Sequence, residues 1–201
     1  MAGVILEASE TEGATQLRDA EIAVIRAARE CRDRLGRDKV TMDDVCAAAG
    51  ISRATLYRLF PGGRDVLFDA VRVHSLNEFF GSLRADIEGA DSLEEFLVRV
   101  IVGASTALRD DEHLAVALAT EPGAALGDLT FDGLERIISS ATEFFTPFAA
   151  RFVSASTAAG MFDIVTRLVI SYHLSASRVY DFTKRESVLR FVRTHLLPAV
   201  N

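Results

Sequence analysis

The 201-residue chain is predicted to be all-α, on three observations. Apolar residues recur at three- and four-residue intervals over long stretches, the period of a helix with one buried face. Proline, which interrupts helices, occurs only 4 times. Hydrophobic residues make up 49% of the chain, enough for a substantial core and too many for disorder. The length allows one large or two small domains.

The opening MAGVILEASETEG has neither a basic start nor a long apolar run, so it does not read as a signal peptide, and residues 1–15 are expected to form a flexible arm. A first helix is predicted over Leu17–Leu35. Its inward stripe is Leu17, Ala20, Val24, Ala27, Cys31 and Leu35, and Gly36 ends it. Arg37 and Lys39 follow and are candidates for phosphate contact, against the plain alternative of solvated side chains. Cys31 and Cys46 both fall at apolar positions, which suits reduced, buried thiols in a cytoplasmic protein.

The most informative stretch is VTMDDVCAAAGISRATLYRLFPGGRDVL, residues 40–67. Thr41 is placed to cap a helix, and Asp44 three residues on completes a capping box. Gly50 suits a helix end that needs positive φ. Ile51 turns inward, and Ser52 caps a second short helix that Pro61-Gly62-Gly63 stops. Leu56 and Phe60 anchor that helix, leaving Arg53, Thr55, Tyr57 and Arg58 outward. Two short helices joined by a glycine turn are the shape of a helix-turn-helix, whose second helix enters the DNA major groove. Small Ser52, Ala54 and Thr55 permit close approach; arginine and tyrosine supply phosphate and guanine contacts. An ordinary helical hairpin with a solvated face has the same spacing.

A further helix is predicted from Arg64 to about Phe80, with Val66, Leu67, Ala70, Val71 and His74 inward. Ser92 then caps LEEFLVRVIVGASTALRDD, which buries Leu93, Phe96, Leu97, Val100 and Ile101. Arg109-Asp110-Asp111-Glu112 marks a surface turn and the acidic start of the helix HLAVALAT. Glu121-Pro122-Gly123 breaks it, and a loop runs through Gly127. TFDGLERIISSATEFFTPFAARF reads as a long amphipathic helix with a kink at Pro147. Helices over Ser156–Leu174 and Glu186–Leu197 close the chain. No apolar run is long enough to span a membrane.

Catalytic patterns are missing. The sequence has no phosphate-binding glycine loop, no His-Glu-x-x-His and no Gly-x-Ser-x-Gly. His74, His113, His173 and His195 lack metal-ligand spacing. No metal, cofactor or enzymatic activity is expected. Net charge is −7, unevenly spread: residues 16–72 hold 11 basic and 9 acidic side chains, against 11 and 20 elsewhere. That asymmetry suits a DNA-reading head on an acidic body.

GISRATLYRLFPGGRDVL, with the helix beginning at Thr41, resembles the DNA-binding signature of the TetR family of bacterial transcriptional regulators. The resemblance covers about residues 17–75. It implies a helix-turn-helix head over 16–62 and a helical regulatory and dimerisation domain over 63–201. It also implies a homodimer paired through its last two long helices, a palindromic double-stranded operator, and a repressor released by a small hydrophobic effector. Such effectors include fatty acids, acyl thioesters and hydrophobic drugs. The DNA-binding set is then Thr41, Ser52, Arg53, Ala54, Thr55, Tyr57, Arg58 and Arg64. The sequence departs from the pattern at the turn, where Gly63 precedes Arg64 and a basic residue is usual one position earlier.

An apolar pocket in the body is expected among Phe96, Leu118, Phe144, Phe145, Phe148, Met161, Phe162 and Val165, with Thr166 and Arg167 as polar lining. Asp163 stands four residues before Arg167, where the two can pair. Two other readings stay open. One is a helical small-molecule-binding or enzymatic protein with a vestigial head. The other is a DNA-binding dimer without an effector, whose core is filled where the pocket is placed.

Overall fold

The computed structural model describes residues 2–36, 39–120 and 132–199. Among the described residues every regular element is helical: α1 (Ala2–Leu35), α2 (Met42–Ala49), α3 (Arg53–Leu59), α4 (Arg64–Glu88), α5 (Leu93–Arg109), α6 (Glu112–Thr120), α7 (Asp132–Ala149), α8 (Ala155–Leu174) and α9 (Arg185–Phe191). A wide π-type turn, Val192–Leu196, and a 3-10 turn, Leu197–Ala199, complete the series. The chain divides into two compact units, Met1–Ser75 and Leu76–Asn201. The division falls inside α4 rather than at the turn before it, because Leu67, Phe68 and Val71 of α4 lie in the first unit's core.

That first core gathers Val24, Ala28 and Cys31 from α1, Val45 and Cys46 from α2, and Leu56 and Leu59 from α3, together with Val40 and Phe60. Both cysteines are buried free thiols. α1 begins at Ala2, so the stretch expected as a flexible arm is helical; its alanines, glutamates and Leu6 are helix formers, and Gly3 and Gly13 do not outweigh them. Leu17, expected inside, is 48% exposed, and Ala20 is exposed too. The buried stripe starts only at Val24, because α2 has 8 residues and spans about 12 Å, too little to cover a helix as long as α1. Val66 is likewise outward, at 42% exposure.

The second unit is built on phenylalanine. Phe145 stacks on Phe162 at 5.2 Å, Phe96 meets Phe162 edge-on at 6.0 Å, and Phe80 contacts both Phe144 (5.6 Å) and Phe145 (5.5 Å). Each such pair adds about 0.5–1.5 kcal/mol beyond its buried area. α4 runs past the expected end at Phe80 because Leu83 and Ile87 continue its inward stripe, both buried. Its last carbonyls are met by guanidinium groups. Arg99 donates to Asp86 O at 2.7 Å, and Arg151 to Ile87 O and Glu88 O at 3.3 Å. Cations there complement the helix dipole.

Local caps set the other boundaries. Ser92 accepts from Glu95 N and starts α5, and Asp111 accepts from Leu114 N at the head of α6. Ser154 caps α8 through Thr157 N, so this helix starts at Ala155, one residue before the expected Ser156. α7 continues through Pro147, which lacks the N–H that would bond the Glu143 carbonyl, and stops two residues later at Ala149. The break at Glu121-Pro122-Gly123 and the loop to Gly127 lie outside the described residues, as does Arg37. α9 is shorter than predicted, and its apolar residues Val188 and Phe191 belong with Val192 and Leu196 to the unit's own core. Ion pairs Glu95–Arg185 and Glu94–Arg193 (2.8 Å) fasten α9 and the turn after it to α5.

Phe162 is fully buried between Phe96 and Phe145. Phe162→Ala is expected to destabilise the protein by about 3–5 kcal/mol, read from urea unfolding; a loss under about 1 kcal/mol contradicts a packed core there. The ion pairs predict a pH effect. Hydrogen bonds from Arg193 and Arg185 hold the Glu94 and Glu95 carboxyls below their ordinary range. A depressed folded-state value stabilises above that range and is lost as pH falls through it. Thermal melts from pH 7 to 3 should therefore separate wild type from a Glu94→Gln, Glu95→Gln variant at neutral pH and bring them together in acid. The gap is about 1 kcal/mol or less per pair, because the arginines are largely solvated.

Candidate nucleic-acid interface

α2 and α3 owe their start points to hydroxyl caps. Thr41 Oγ1 accepts from Asp44 N at 3.2 Å while Thr41 N donates to Asp44 Oδ2 at 2.8 Å, a complete capping box. The Thr41 hydroxyl also donates to that carboxylate at 2.6 Å, and these bonds lower the Asp44 pKa. Gly50 closes α2 in the left-handed region at φ 66°, where only glycine sits without strain. Ser52 then caps α3, accepting from Thr55 N at 3.2 Å.

α3 has 7 residues, too few to be helical alone, so its seating decides its existence. Leu56 is fully buried and Leu59 and Phe60 nearly so. That anchorage turns Ser52, Arg53, Ala54, Tyr57 and Arg58 to solvent, with Thr55 half-buried and its hydroxyl 3.0 Å from that of Ser52. The face is small and hydroxylic at its first turn, aromatic and cationic beyond it.

Four predicted residues have fixed surroundings. Thr41 is committed to its cap. Arg53 forms a two-pronged ion pair with Asp43 of α2, through Nε to Oδ1 and Nη2 to Oδ2. The ring of Tyr57 lies over Gly63, whose φ is 72° and where an added Cβ would stand 3.2 Å from Tyr57 Cε1. Arg64 is half-buried: Nε donates to Val40 O at 3.5 Å, and the guanidinium lies 5.0 Å above the Phe68 ring. Its charge is thus directed to its own unit, unlike that of exposed Arg58. Sequence reasoning missed Asp43 and the Val40 carbonyl. Neither follows from helical periodicity, since the partners lie ten and twenty-four residues apart.

The residues expected to line a pocket are brought together as a filled core. Phe96, Phe145, Met161, Phe162 and Val165 are buried in one cluster, and Phe144 and Phe148 pack against it. Leu118 and Thr166 are half-buried. Arg167 is exposed, and pairs with Asp163 (3.0 Å) and Glu135 (3.3 Å). A cavity of about 600 Å³, open to solvent, lies elsewhere in this unit, lined by Ser82, Asp86, Arg99, Gly103, Thr106 and Arg185 among others.

Residues 24–71 match the family model described as bacterial regulatory proteins, tetR family. Among solved structures, the TetR family repressor AlkX from Dietzia, implicated in biodegradation of n-alkanes, aligns with a TM-score of 0.66 and 28% identity over 89% of this chain and 98% of that one. The head of the chain, residues 24–71, is that of the TetR family of bacterial regulatory proteins, and the chain as a whole resembles a TetR family repressor in fold. An uncharacterised HTH-type transcriptional regulator of Mycobacterium tuberculosis is 30% identical over 98 residues, and one of Mycobacterium bovis 31% over 99. These matches span about half the length of the curated relatives, 49% of each. The fatty acid degradation regulator FadR from Bacillus halodurans shares the fold, with a TM-score of 0.54 at 15% identity over 88% of this chain and 96% of that one. In this family frame the helix-turn-helix is α2–Gly50–α3, and the named relatives are described as regulators. No helix among the described residues is long and apolar enough to cross a membrane.

Proposed function

We propose that this chain is a sequence-specific DNA-binding transcriptional regulator that acts in the cytoplasm as a homodimeric repressor, by binding and without chemistry of its own. One observation carries the reading: a short helix, capped by Ser52 and anchored by Leu56, presents Arg53, Ala54, Tyr57 and Arg58 outward within a family-matched head. Small residues at its first turn allow close approach to base edges, and Arg58 and Tyr57 suit phosphates. A symmetric pair of heads reads a palindrome with half-sites one helical turn apart, or a multiple of it.

Pairing is supported on α8 rather than α9. Gly160, Ile164, Arg167, Ser171 and Leu174 form an exposed stripe at helical spacing, and a Cβ at Gly160 would meet nothing within 4 Å. Ile164 and Leu174 are 51% and 41% exposed. A small apolar effector is favoured by the phenylalanine-rich body and by the alkane connection of AlkX. It would act through α4, whose halves belong to different cores, by preferring one of two states. A second reading has its own support: the phenylalanines pack ring on ring, which suits a DNA-binding dimer with no effector.

Replacing Tyr57 and Arg58 together with alanine is expected to weaken operator binding at least tenfold, about 1.4 kcal/mol, with the melting temperature unchanged. Gel shifts with fragments from upstream of the protein's own gene measure this; absence of any retarded palindromic fragment at modest salt sinks the reading. Native mass spectrometry should report a dimer carrying a co-purified apolar molecule. A ligand-free dimer that no alkyl compound stabilises decides for the second reading, and a monomer ends both.

A further inference from the structure

The Asp43–Arg53 pair on the DNA-facing side is not accounted for by stability. Both side chains are well exposed, at 66% for Arg53 and 59% for Asp43, and solvated pairs contribute little to folding. The pair also places a carboxylate beside the very helix that must approach polyanionic DNA. Its geometry gives it a different use. Asp43 takes the Nε and Nη2 edge of the guanidinium. A planar guanidinium carries five N–H groups, so the end edge, made of Nη1 and the second Nη2 hydrogen, stays available. Two parallel donors on that edge match O6 and N7 of guanine. Arg53 is the first residue of α3, where a recognition helix meets base edges, and its neighbours Ser52 and Ala54 are small.

We propose that Asp43 is a positioning residue: it holds Arg53 so that the end of its guanidinium reads one guanine in each operator half-site. The inference rests on the reading of α3 as a major-groove helix. The carboxylate removes rotamer freedom that a long side chain would otherwise lose on binding, and it penalises any site where Arg53 fails to find its base. Asp43 thereby trades general affinity for discrimination.

The experiment uses the full-length protein as wild type, Asp43→Ala, Asp43→Asn and Arg53→Ala, with melting curves to confirm folding. Sites are selected from a random duplex pool, and dissociation constants are measured on the selected site, on versions with each guanine changed to adenine or 7-deazaguanine, and on unrelated DNA. Wild type should show one guanine per half-site whose replacement weakens binding about 5- to 150-fold. Arg53→Ala should erase that preference. The Asp43 variants should lower it by about threefold or more while tightening binding to unrelated DNA, since a negative charge has left the phosphate-facing side. A purely structural pair would instead weaken all binding together, and that result overturns the proposal. So does an Arg53→Ala variant that loses affinity equally on every sequence with a salt slope smaller by about one, the mark of a phosphate contact. A motif unchanged in all variants refutes the relay alone; a wild type that selects no motif removes the parent reading as well.

Discussion

The seating of α3 is the constraint on which this molecule's use depends. Seven residues form fewer than two turns, and a helix that short has no stability of its own in water. It exists because Leu56, Leu59 and Phe60 are buried against α1, α2 and α4 residues, while Ser52 satisfies an end donor that burial would leave unpaired. Gly50, at φ 66°, fixes the direction in which the chain leaves α2, so the same three buried side chains determine which four face outward. Which side chains α3 presents is therefore set by packing: Arg53, Ala54, Tyr57 and Arg58, proposed to meet DNA, are not the ones buried to hold the helix.

α4 has the complementary part. Leu67, Phe68 and Val71 are in one core, and Phe80, Leu83 and Ile87 in the other. Among the described residues, α4 contributes buried side chains to both cores. Its C-terminal carbonyls are held by Arg99 from α5 and Arg151 from the segment after α7. Those two donors tie its end to α5, which carries Phe96, and to the segment that follows α7, the helix that carries Phe145.

What the sequence made legible is local, and what it concealed is tertiary. Thr41, Ser52 and Ser92 were readable as caps because a cap involves residues two or three apart. Gly50 was readable because the turn needs a backbone that only glycine adopts cheaply. The limits of α1 and α4 were not, since nothing local distinguishes Leu17, which no partner helix reaches, from Val24, which one covers. The phenylalanines of α7 and α8 were legible as apolar surface, but periodicity does not say whether rings close on each other or on a ligand; here they close on each other. Arg64 and Arg53 looked equivalent as cations. One is drawn to Val40 O and Phe68, the other clasped by Asp43, through contacts that skip along the chain.

Electrostatics shows why those pairings matter more than the charge count. Residues 16–72 carry an excess of two basic side chains, and several are already engaged: Arg32 with Asp33, Arg53 with Asp43, Arg72 with Asp69. Counterion release scales with the number of phosphates neutralised, so each arginine committed to a carboxylate within the head contributes less to it. The acidic remainder adds little repulsion beyond the screening length of about 8 Å. Under the proposed reading the outward side chains of α3 then carry more of the binding, and their contribution depends on the base they meet. A weakly basic head whose Arg53 is held by Asp43 accords with the proposal that discrimination outweighs general affinity.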